Sequence, residues 1–292
     1  MLKGAAVPTR SRLATAAVAL ACLAAAATAA TVVACTPRTG TAPTAELDPA
    51  PDDTPPQPVP AGRPTGWRLA FGDDFDGTSL DGSRWSDRSS AEPDGGHGNL
   101  GNQQLEWNQA ANCQVGGGEL VMTAKREPFT SPGGQRYDWT SCLITSRRSY
   151  AFRYGFLEER AILPAARGFW PAFWTWPAED VGEQAETDVY EFFSDNHGRL
   201  YSTQYSGADA GGRCTWAPRF DPSAGWHTYG VAVEPSGTTW YADGTQVCHT
   251  DATSIARTAI ISNLAVYSRI LPEAGTTSAT KRVDYIRAWA AS

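Results

Sequence analysis

Between Gly66 and Ser292 the chain alternates apolar and polar residues in short runs. In GELVMTAKR every second residue from Leu120 to Ala124 is apolar, and YGFLEERAIL alternates in a similar way. A period of two indicates half-buried β-strands. In TTWYADGTQVCHT the pair Asp243-Gly244 separates two β-rich flanks, which predicts a hairpin. Long helical periodicity is hard to find, so the pattern predicts one all-β domain, an antiparallel sandwich or barrel.

The strand-like segment ETDVYEFF, residues 186–193, carries three carboxylates within six residues. On a regular strand Glu186 and Asp188 share one face, and Glu191 points to the other face. A β-bulge near Val189-Tyr190 adds one residue and returns Glu191 to the face of the other two acids. With that bulge, Glu186 and Glu191 are effectively four residues apart, about 13 Å between their α-carbons.

This spacing has a chemical consequence. Side chains that lean inward by about 4 Å each bring the two carboxyl groups to about 5 Å, the separation found in a retaining glycosidase. One carboxylate then attacks the anomeric carbon, and the other gives a proton to the leaving oxygen. Asp188 lies between them, so the three groups titrate as a coupled set. The alternative is a solvated acidic strand face, but stacked acids repel each other and lower stability.

Aromatic residues crowd the segment just before these acids. Trp170, Trp174 and Trp176 lie in GFWPAFWTWP, and aromatic rings beside carboxylates suit a sugar-binding cleft, because they stack on the apolar faces of pyranoses. The alternative, packing in the core, applies to at least one of the three. The four histidines are scattered singly along the chain, so we expect them to be surface or packing residues.

The first 34 residues have the layout of a bacterial export signal. Lys3, Arg10 and Arg12 form a short basic leader, and residues 13–34 carry no charge. The sequence VVAC, which ends at Cys35, favours a lipoprotein signal in which Cys35 receives the lipid. Two alternatives are an uncut membrane anchor and ordinary secretory cleavage at ATA, residues 27–29. We expect an extracellular lipoprotein on the cell surface, with secretion as the alternative.

A proline-rich segment follows the signal. Residues 36–65 hold nine prolines in thirty residues, which predicts a semi-stiff tether without a core of its own. We therefore divide the chain into a signal peptide over residues 1–34, the lipidated Cys35 with its linker to residue 65, and a catalytic domain over residues 66–292.

The net charge of the domain limits the classes of molecule that it is expected to bind. Loss of the signal removes three positive charges and no negative ones, so the net charge changes from −7 to −10. This net charge argues against nucleic acid as a partner and favours a neutral substrate.

Four cysteines remain in the domain and allow three connectivities. We favour Cys113 with Cys142 and Cys214 with Cys248, because each pair joins segments close in sequence; without Cys-x-x-Cys, a redox or zinc site is not expected.

These motifs resemble those of glycoside hydrolase family 16, the laminarinase-like β-glucanases. GFWPAFWTWP, ETDVYEFF, NLAV and VDYIRAW occur in the family's order, and the resemblance covers residues 67–289. The six-residue form Glu-x-Asp-x-x-Glu is similar to the bulge-containing branch of the family. The resemblance implies a concanavalin-like β-jelly-roll sandwich of two curved antiparallel sheets, with the glycan in the concave cleft.

The resemblance also implies roles for individual residues. Glu186 matches the nucleophile, Glu191 the acid/base, and Asp188 the residue that hydrogen-bonds the nucleophile and tunes it. The chemistry needs no cofactor. Many members bind a structural Ca²⁺ on the convex face. The cleft residues that it implies are Trp170, Trp174, Asn102 and Asn263, and the calcium ligands are Asp74, the carbonyl of Gly118 and Asp284.

Three departures from the family pattern bear on the substrate. Gln204 stands where laminarinases usually carry histidine, Tyr190 where methionine is common, and Tyr267 where a glycine pair is common. We expect all three around the cleft, with Gln204 in substrate binding. The leading hypothesis is a monomeric retaining endo-glycosidase that acts on β-1,3- or mixed β-1,3/1,4-glucan. The alternatives are hydrolysis of another β-linked polysaccharide, such as a galactan, and a carbohydrate-binding lectin of the same fold.

Overall fold

The structure, a computed structural model, describes residues 57–63, 65–179, 184–207 and 210–292. The predicted export signal, Cys35 and most of the proline-rich linker lie outside the described residues. In the part of the chain that is described, no helix is long and apolar enough to cross a membrane.

The described chain is built almost entirely of β-strands. It also contains two short 3-10 turns. Leu100–Asn102 lies before the strand Glu106–Asn108, and Ala110–Asn112 lies directly before the strand Cys113–Val115. The strands are β1 (Trp67–Asp73), β2 (Glu106–Asn108), β3 (Cys113–Val115), β4 (Leu120–Lys125), β5 (Phe129–Thr130), β6 (Arg136–Tyr137), β7 (Trp139–Ser141), β8 (Leu143–Thr145), β9 (Gly155–Ile162), β10 (Phe169–Pro177), β11 (Ala185–Glu191), β12 (Leu200–Ser206), β13 (Ala210–Trp216), β14 (His227–Glu234), β15 (Gly237–Ala242), β16 (Thr245–Thr250), β17 (Thr258–Val266) and β18 (Ser278–Ala291).

Two large sheets contain most of these strands. The first has the order β16-β15-β14-β9-β18-β4-β7-β2, with β1 paired to β18 and β3 paired to β4. The second has the order β13-β12-β11-β10-β17-β8. The pairings within these sheets are antiparallel except for β2 with β7. This architecture confirms the predicted all-β jelly-roll sandwich.

The core lies between the two sheets. Phe173 and Tyr190 of the second sheet pack in one cluster with Tyr229 and Val231 of the first sheet. The alternation seen in the sequence follows from this layering. On β4, for example, the side chains alternate between buried and half-buried positions along the whole strand.

The predicted hairpin and disulfides are also confirmed. Asp243 and Gly244 join β15 to β16 with φ angles of 45° and 70°, the positive values that a two-residue turn of this type needs. Cys113 bonds to Cys142, and Cys214 bonds to Cys248. Each bridge joins segments that are close in sequence, as expected.

Residues 57–63 contact the first sheet. The carbonyl of Pro58 accepts a hydrogen bond from Trp289 Nε1 at 2.7 Å, and the backbone N–H of Ala61 donates to Glu158 Oε2 at 3.0 Å. Arg63 forms an ion pair with Glu234 at 3.3 Å. This part of the predicted linker is therefore bonded to the sandwich.

Candidate active site

The acids of β11 share one face because the strand contains a bulge. Asp188 pairs with Thr203 of β12, whereas Glu191 pairs with Tyr201, so three steps along β11 match two steps along β12. The register with β10 shifts at the same point. The bulge that the spacing of the acids predicted at Val189-Tyr190 is confirmed. As a result Glu186, Asp188 and Glu191 all line the same cleft.

Side chains from both sheets capture the backbone carbonyls that the bulge leaves without strand partners. Trp240 Nε1, on β15 of the opposite sheet, donates to the carbonyl of Asp188 at 2.8 Å. Ser202 Oγ donates to the carbonyl of Val189 at 2.8 Å, and Trp216 Nε1 donates to that hydroxyl at 3.1 Å. Since a buried carbonyl without a donor is costly, these bonds hold the extra residue in place.

A buried polar network supports the bulge from the interior. The Tyr190 hydroxyl donates to Glu159 Oε2 at 2.6 Å, and Ser262 Oγ donates to Glu159 Oε1 at 2.7 Å. Lys281 Nζ lies 3.0 Å from Glu159 Oε2 and donates to the carbonyl of Ala172 at 3.1 Å. Glu159 and Lys281 are both fully buried. The network therefore links the bulge to β9 and β18 of the opposite sheet.

The cleft has a volume of about 290 Å³. The acids of β11 form one part of its floor, and half-buried Trp170 and Trp176 of β10 lie next to them. Besides the acids and these two tryptophans, its lining consists of Ala91, Glu92, Asn99, Asn102, Gln104, Ala172, Trp174, Gln184, Tyr205 and Asn263. Four of the five predicted cleft residues, Trp170, Trp174, Asn102 and Asn263, are thus brought together here.

The tryptophans of β10 differ in their exposure. Trp174 is only 9% exposed, and its Nε1 donates to Asn263 Oδ1 at 3.0 Å. Its ring packs edge-on against Trp176, with ring centroids 5.9 Å apart. Trp170 packs against Tyr267, with ring centroids 5.0 Å apart. Core packing therefore accounts for much of Trp174, whereas Trp170 and Trp176 present more surface to the cleft.

Burial raises the pKa of each acid on β11. The pKa of Glu191 rises to about 7, first through burial and second through the negative charge of Glu186, while the neighbouring Trp170 indole opposes the rise. The pKa of Asp188 rises well above its ordinary value, because the carboxyl is buried and both glutamates repel its charge. Because the negative charge of each neighbour is among the causes of these shifts, the three groups form one interacting set.

Glu186 has the donors that favour an ionised carboxylate. Burial raises its pKa, whereas the amide of Gln184, whose Nε2 donates to Glu186 Oε2 at 2.6 Å, and a hydrogen bond with the neighbouring Asp188 both act to lower it. These bonds stabilise the charged form. The arrangement gives one carboxylate prepared for attack and, in Glu191, a second group that keeps its proton up to about neutral pH.

The prediction that Gln204 binds substrate is wrong. Gln204 alternates with Tyr205 on β12 and points between the sheets, where it is fully buried. Its Oε1 accepts from Thr187 Oγ1 at 2.9 Å, and its Nε2 donates to the carbonyl of Glu186 at 3.1 Å. Tyr205, the neighbour that faces the other way, lines the cleft instead.

Tyr190 was also expected around the cleft, and this expectation is wrong too. Because the bulge turns both of its residues inward, Val189 and Tyr190 are 2% and 0% exposed. Tyr267 does lie near the cleft, against Trp170. The departures from the family pattern at positions 190 and 204 therefore lie in the interior. They affect the hydrogen bonds that hold β11 in place rather than the surface of the cleft.

The residues predicted to bind calcium do not fit that ion as they stand. Asp74 Oδ1 lies 2.8 Å from Arg287, and Asp284 Oδ2 lies 2.6 Å from Arg160, so each carboxylate is paired with an arginine. Over the described ranges of the chain, no cluster of three or more His, Cys, Asp or Glu side chains is arranged to hold a metal. We assign no role to a metal at this face.

Several cleft residues were missed in the sequence. Glu92, Asn99 and Gln104 come from loop segments without a periodic pattern, so no signal pointed to them. Gln184 precedes the acidic strand directly, and its amide bonds Glu186. Tyr205 could have been found, because it pairs with Glu186 across β11 and β12 and must share its face.

Comparisons with known proteins agree with this geometry. Residues 101–287 match the Glycosyl hydrolases family 16 profile. A β-glucanase from Rhodothermus marinus is 32% identical over 195 residues, covering 61% of this chain and 63% of that protein. An endo-1,3-1,4-β-glycanase from Rhizobium meliloti (strain 1021) is 30% identical over 243 residues, covering 75% and 51%. The chain thus spans about half to two thirds of the length of these curated relatives.

Solved structures show the same fold. The endo-β-1,3-glucanase from Pyrococcus furiosus matches with a TM-score of 0.69 at 27% identity, covering 77% of this chain and 95% of that one. The laminarinase catalytic domain from Thermotoga maritima MSB8 matches with a TM-score of 0.68 at 26% identity, covering 77% and 98%. With the profile match spanning more than half of its residues, the chain belongs to glycosyl hydrolases family 16.

Proposed function

We propose that this protein is a retaining endo-glycosidase that hydrolyses β-1,3- or mixed β-1,3/1,4-glucan by double displacement. The observation that carries the proposal is the bulge in β11, which lets Glu186, Asp188 and Glu191 line one cleft. Acids on one strand face destabilise a strand and are retained where chemistry needs them. The carboxyl separation of about 5 Å stays a prediction.

In the first step Glu186 acts as the nucleophile. Its carboxylate oxygen forms a bond to the anomeric carbon while the bond from that carbon to the leaving oxygen breaks. Glu191 gives its proton to the leaving oxygen, so the departing chain leaves as a neutral alcohol. A pKa of about 7 suits Glu191 for this task, since the group is protonated at mildly acidic pH.

In the second step the roles of the acids reverse. Glu191, now ionised, takes a proton from a water molecule, and the water oxygen attacks the anomeric carbon. The bond to Glu186 breaks, and its carboxylate is restored. Two inversions at one carbon give a product with the starting configuration. The hydrogen bond with Asp188 acts to lower the pKa of Glu186, so in this mechanism Asp188 stabilises the charge of Glu186 whenever that carboxylate is free.

The substrate class follows from the lining of the cleft and from the relatives. Tryptophan faces, asparagine amides and acids suit a neutral sugar chain. Relatives and similar structures bear the names endo-1,3-1,4-β-glycanase and endo-β-1,3-glucanase. Release of reducing sugar from laminarin, lichenan, galactan and agarose distinguishes β-glucan from other β-linked polysaccharides. A lectin of this fold would release none.

Azide rescue tests the two catalytic roles separately. Glu186→Gly should lose hydrolysis. With an activated α-glycosyl fluoride as donor it should only transfer the glycosyl group: an acceptor hydroxyl attacks the anomeric carbon, Glu191 takes the hydroxyl proton, and fluoride leaves into the cavity of the removed side chain. Glu191→Gly should keep activity on an aryl glycoside with a good leaving group, and azide should give a β-glycosyl azide. Glu273→Gly, at an exposed site, is the matched control. Hydrolysis by Glu186→Gly at the rate of the wild type would refute the assignment of Glu186 as the nucleophile.

We also propose that the protein is a monomer held at the cell surface by a lipid on Cys35. The support is the sequence VVAC after an uncharged, alanine-rich segment. Labelled palmitate should be incorporated by the wild type and not by Cys35→Ala. An unlabelled wild-type protein in the medium would favour ordinary secretion instead.

A further inference from the structure

A fully buried ion pair lies in the interior beneath the acids of β11. Lys281 of β18 and Glu159 of β9 are both 0% exposed, and Lys281 Nζ lies 3.0 Å from Glu159 Oε2. Moving two charges from water into a protein interior costs about as much free energy as their attraction returns. A gain in stability therefore does not account for these two charges, and the bonds that they form point to another role.

The ion pair bonds to three neighbouring strands of the opposite sheet. Glu159 Oε2 accepts from the hydroxyl of Tyr190 on β11 at 2.6 Å, and Glu159 Oε1 accepts from Ser262 Oγ on β17 at 2.7 Å. Lys281 Nζ donates to the carbonyl of Ala172 on β10 at 3.1 Å and to Ser262 Oγ at 2.8 Å. β11, β10 and β17 are adjacent in that sheet. Because hydrogen bonds to charged groups are short and directional, the pair fixes these strands relative to one another.

Two of these contacts are made next to Glu191. Tyr190 lies in the bulge directly before Glu191, and Ala172 is the residue of β10 that pairs with Glu191. Lys281 Nζ also lies 5.3 Å from the centre of the Tyr190 ring. The extra residue of a bulge interrupts the ladder of backbone bonds, so side-chain contacts determine how the strand continues after it. The position of Glu191 therefore depends on this ion pair.

Glu186, on the other side of the bulge, is held by different residues. Its Oε2 accepts from Gln184 Nε2 at 2.6 Å, and its backbone carbonyl accepts from Gln204 Nε2 of β12 at 3.1 Å. Neither of these donors belongs to the ion pair or bonds to it. Loss of the pair should thus displace Glu191 and leave Glu186 in place.

We propose that the buried ion pair and Tyr190 are positioning residues, which hold the carboxyl of Glu191 where it protonates the leaving oxygen. This inference rests on the proposed function, in which Glu191 is the acid/base. A general acid must lie within hydrogen-bonding distance of the atom that it protonates, and a displacement of about 1 Å costs about 100-fold in rate. The two charges of the pair are opposite and 3.0 Å apart, so the pair acts through position rather than through a net charge.

The dependence of the rate on the leaving group tests this role. Phenyl and 2,4-dinitrophenyl glycosides of a β-1,3-linked glucotetraose are compared by kcat/KM, which reports the steps up to the glycosyl-enzyme. The phenyl group needs a proton to leave, whereas 2,4-dinitrophenolate leaves as the anion. Tyr190→Phe should lower kcat/KM about tenfold for the phenyl glycoside and leave the dinitrophenyl value within about twofold of the wild type. An unfolded fraction lowers both values equally, so their ratio reports position and not stability.

Three further variants frame the result. Glu191→Gln is the reference for complete loss of the acid. Tyr229→Phe is the matched control, because the Tyr229 ring centroid lies 4.6 Å from that of Tyr190 and its hydroxyl has no partner in the described part of the chain; it should keep both wild-type values. Lys281→Met combined with Glu159→Leu removes the two charges together and should repeat the selective loss.

The possible results separate this inference from the proposed function. A loss confined to the phenyl glycoside supports the positioning role. Equal losses on the two glycosides, or no loss on either, overturn the positioning role and leave the proposed function intact. A wild type that cleaves neither glycoside and no β-glucan overturns the proposed function, and this inference with it.

Discussion

Removal of the Tyr190 hydroxyl tests how the bulge in β11 is supported. This hydroxyl is fully buried and donates to Glu159 Oε2 at 2.6 Å. Tyr190→Phe keeps the ring in the core and removes only the donor. A buried carboxylate oxygen then loses a hydrogen bond, which costs about 1–3 kcal/mol of unfolding free energy. For a domain of this size each kcal/mol lowers the Tm by about 2–4 °C.

Tyr229 supplies the matched control for this experiment. Its ring centroid lies 4.6 Å from that of Tyr190, it is 1% exposed, and its hydroxyl has no partner in the described part of the chain. Tyr229→Phe removes the same atom without breaking a bond, so its unfolding free energy should be unchanged or higher. Chemical denaturation of both variants measures the difference. Equal stability of the two variants would refute the role given to the Tyr190 hydroxyl.

Three further predictions address the acids and their support. The kcat/KM should fall as the pH rises through about 7, because Glu191 must be protonated to act as the acid and its pKa is raised to about 7 by burial; a pH profile that stays level to pH 9 would contradict this. Lys281→Met should cost about 3–5 kcal/mol in urea unfolding, since it leaves the Glu159 charge buried without a cation, and Lys281→Met with Glu159→Leu should cost less than the sum of the single changes. Gln204→Leu should lower the unfolding free energy by about 1–3 kcal/mol and leave the KM unchanged. A raised KM at unchanged stability would instead indicate that Gln204 contacts the substrate.

The acidic strand shows what the sequence could predict. A strand with a period of two cannot place Glu186 and Glu191 on one face across five positions, so the bulge had to follow if both were functional. The Asp243-Gly244 hairpin was equally local, because two adjacent residues set the turn. The disulfide pairing was chosen among three connectivities, and the favoured pairs, 29 and 34 residues apart in sequence, are the ones that form.

Contacts between distant segments could not be predicted in this way. Lys281 of β18 forms an ion pair with Glu159 of β9, and these two strands are far apart in sequence. No sequence pattern around either residue indicates which residue it will pair with. Glu92 comes from a loop, where side-chain direction has no period to follow. Gln204 was misplaced for a simpler reason, since its neighbour Tyr205 pairs with Glu186 and takes the cleft-facing position.

Trapping of the covalent intermediate tests the central claim most directly. A 2-deoxy-2-fluoro-β-glucosyl oligosaccharide with a good leaving group slows the second step, so the glycosyl group accumulates on the nucleophile. Mass spectrometry of the digested protein should find the sugar on Glu186, and NMR of the natural reaction should show the β-anomer as the first product. An unlabelled protein together with an α-anomeric first product would contradict the double displacement and the pairing of Glu186 with Glu191.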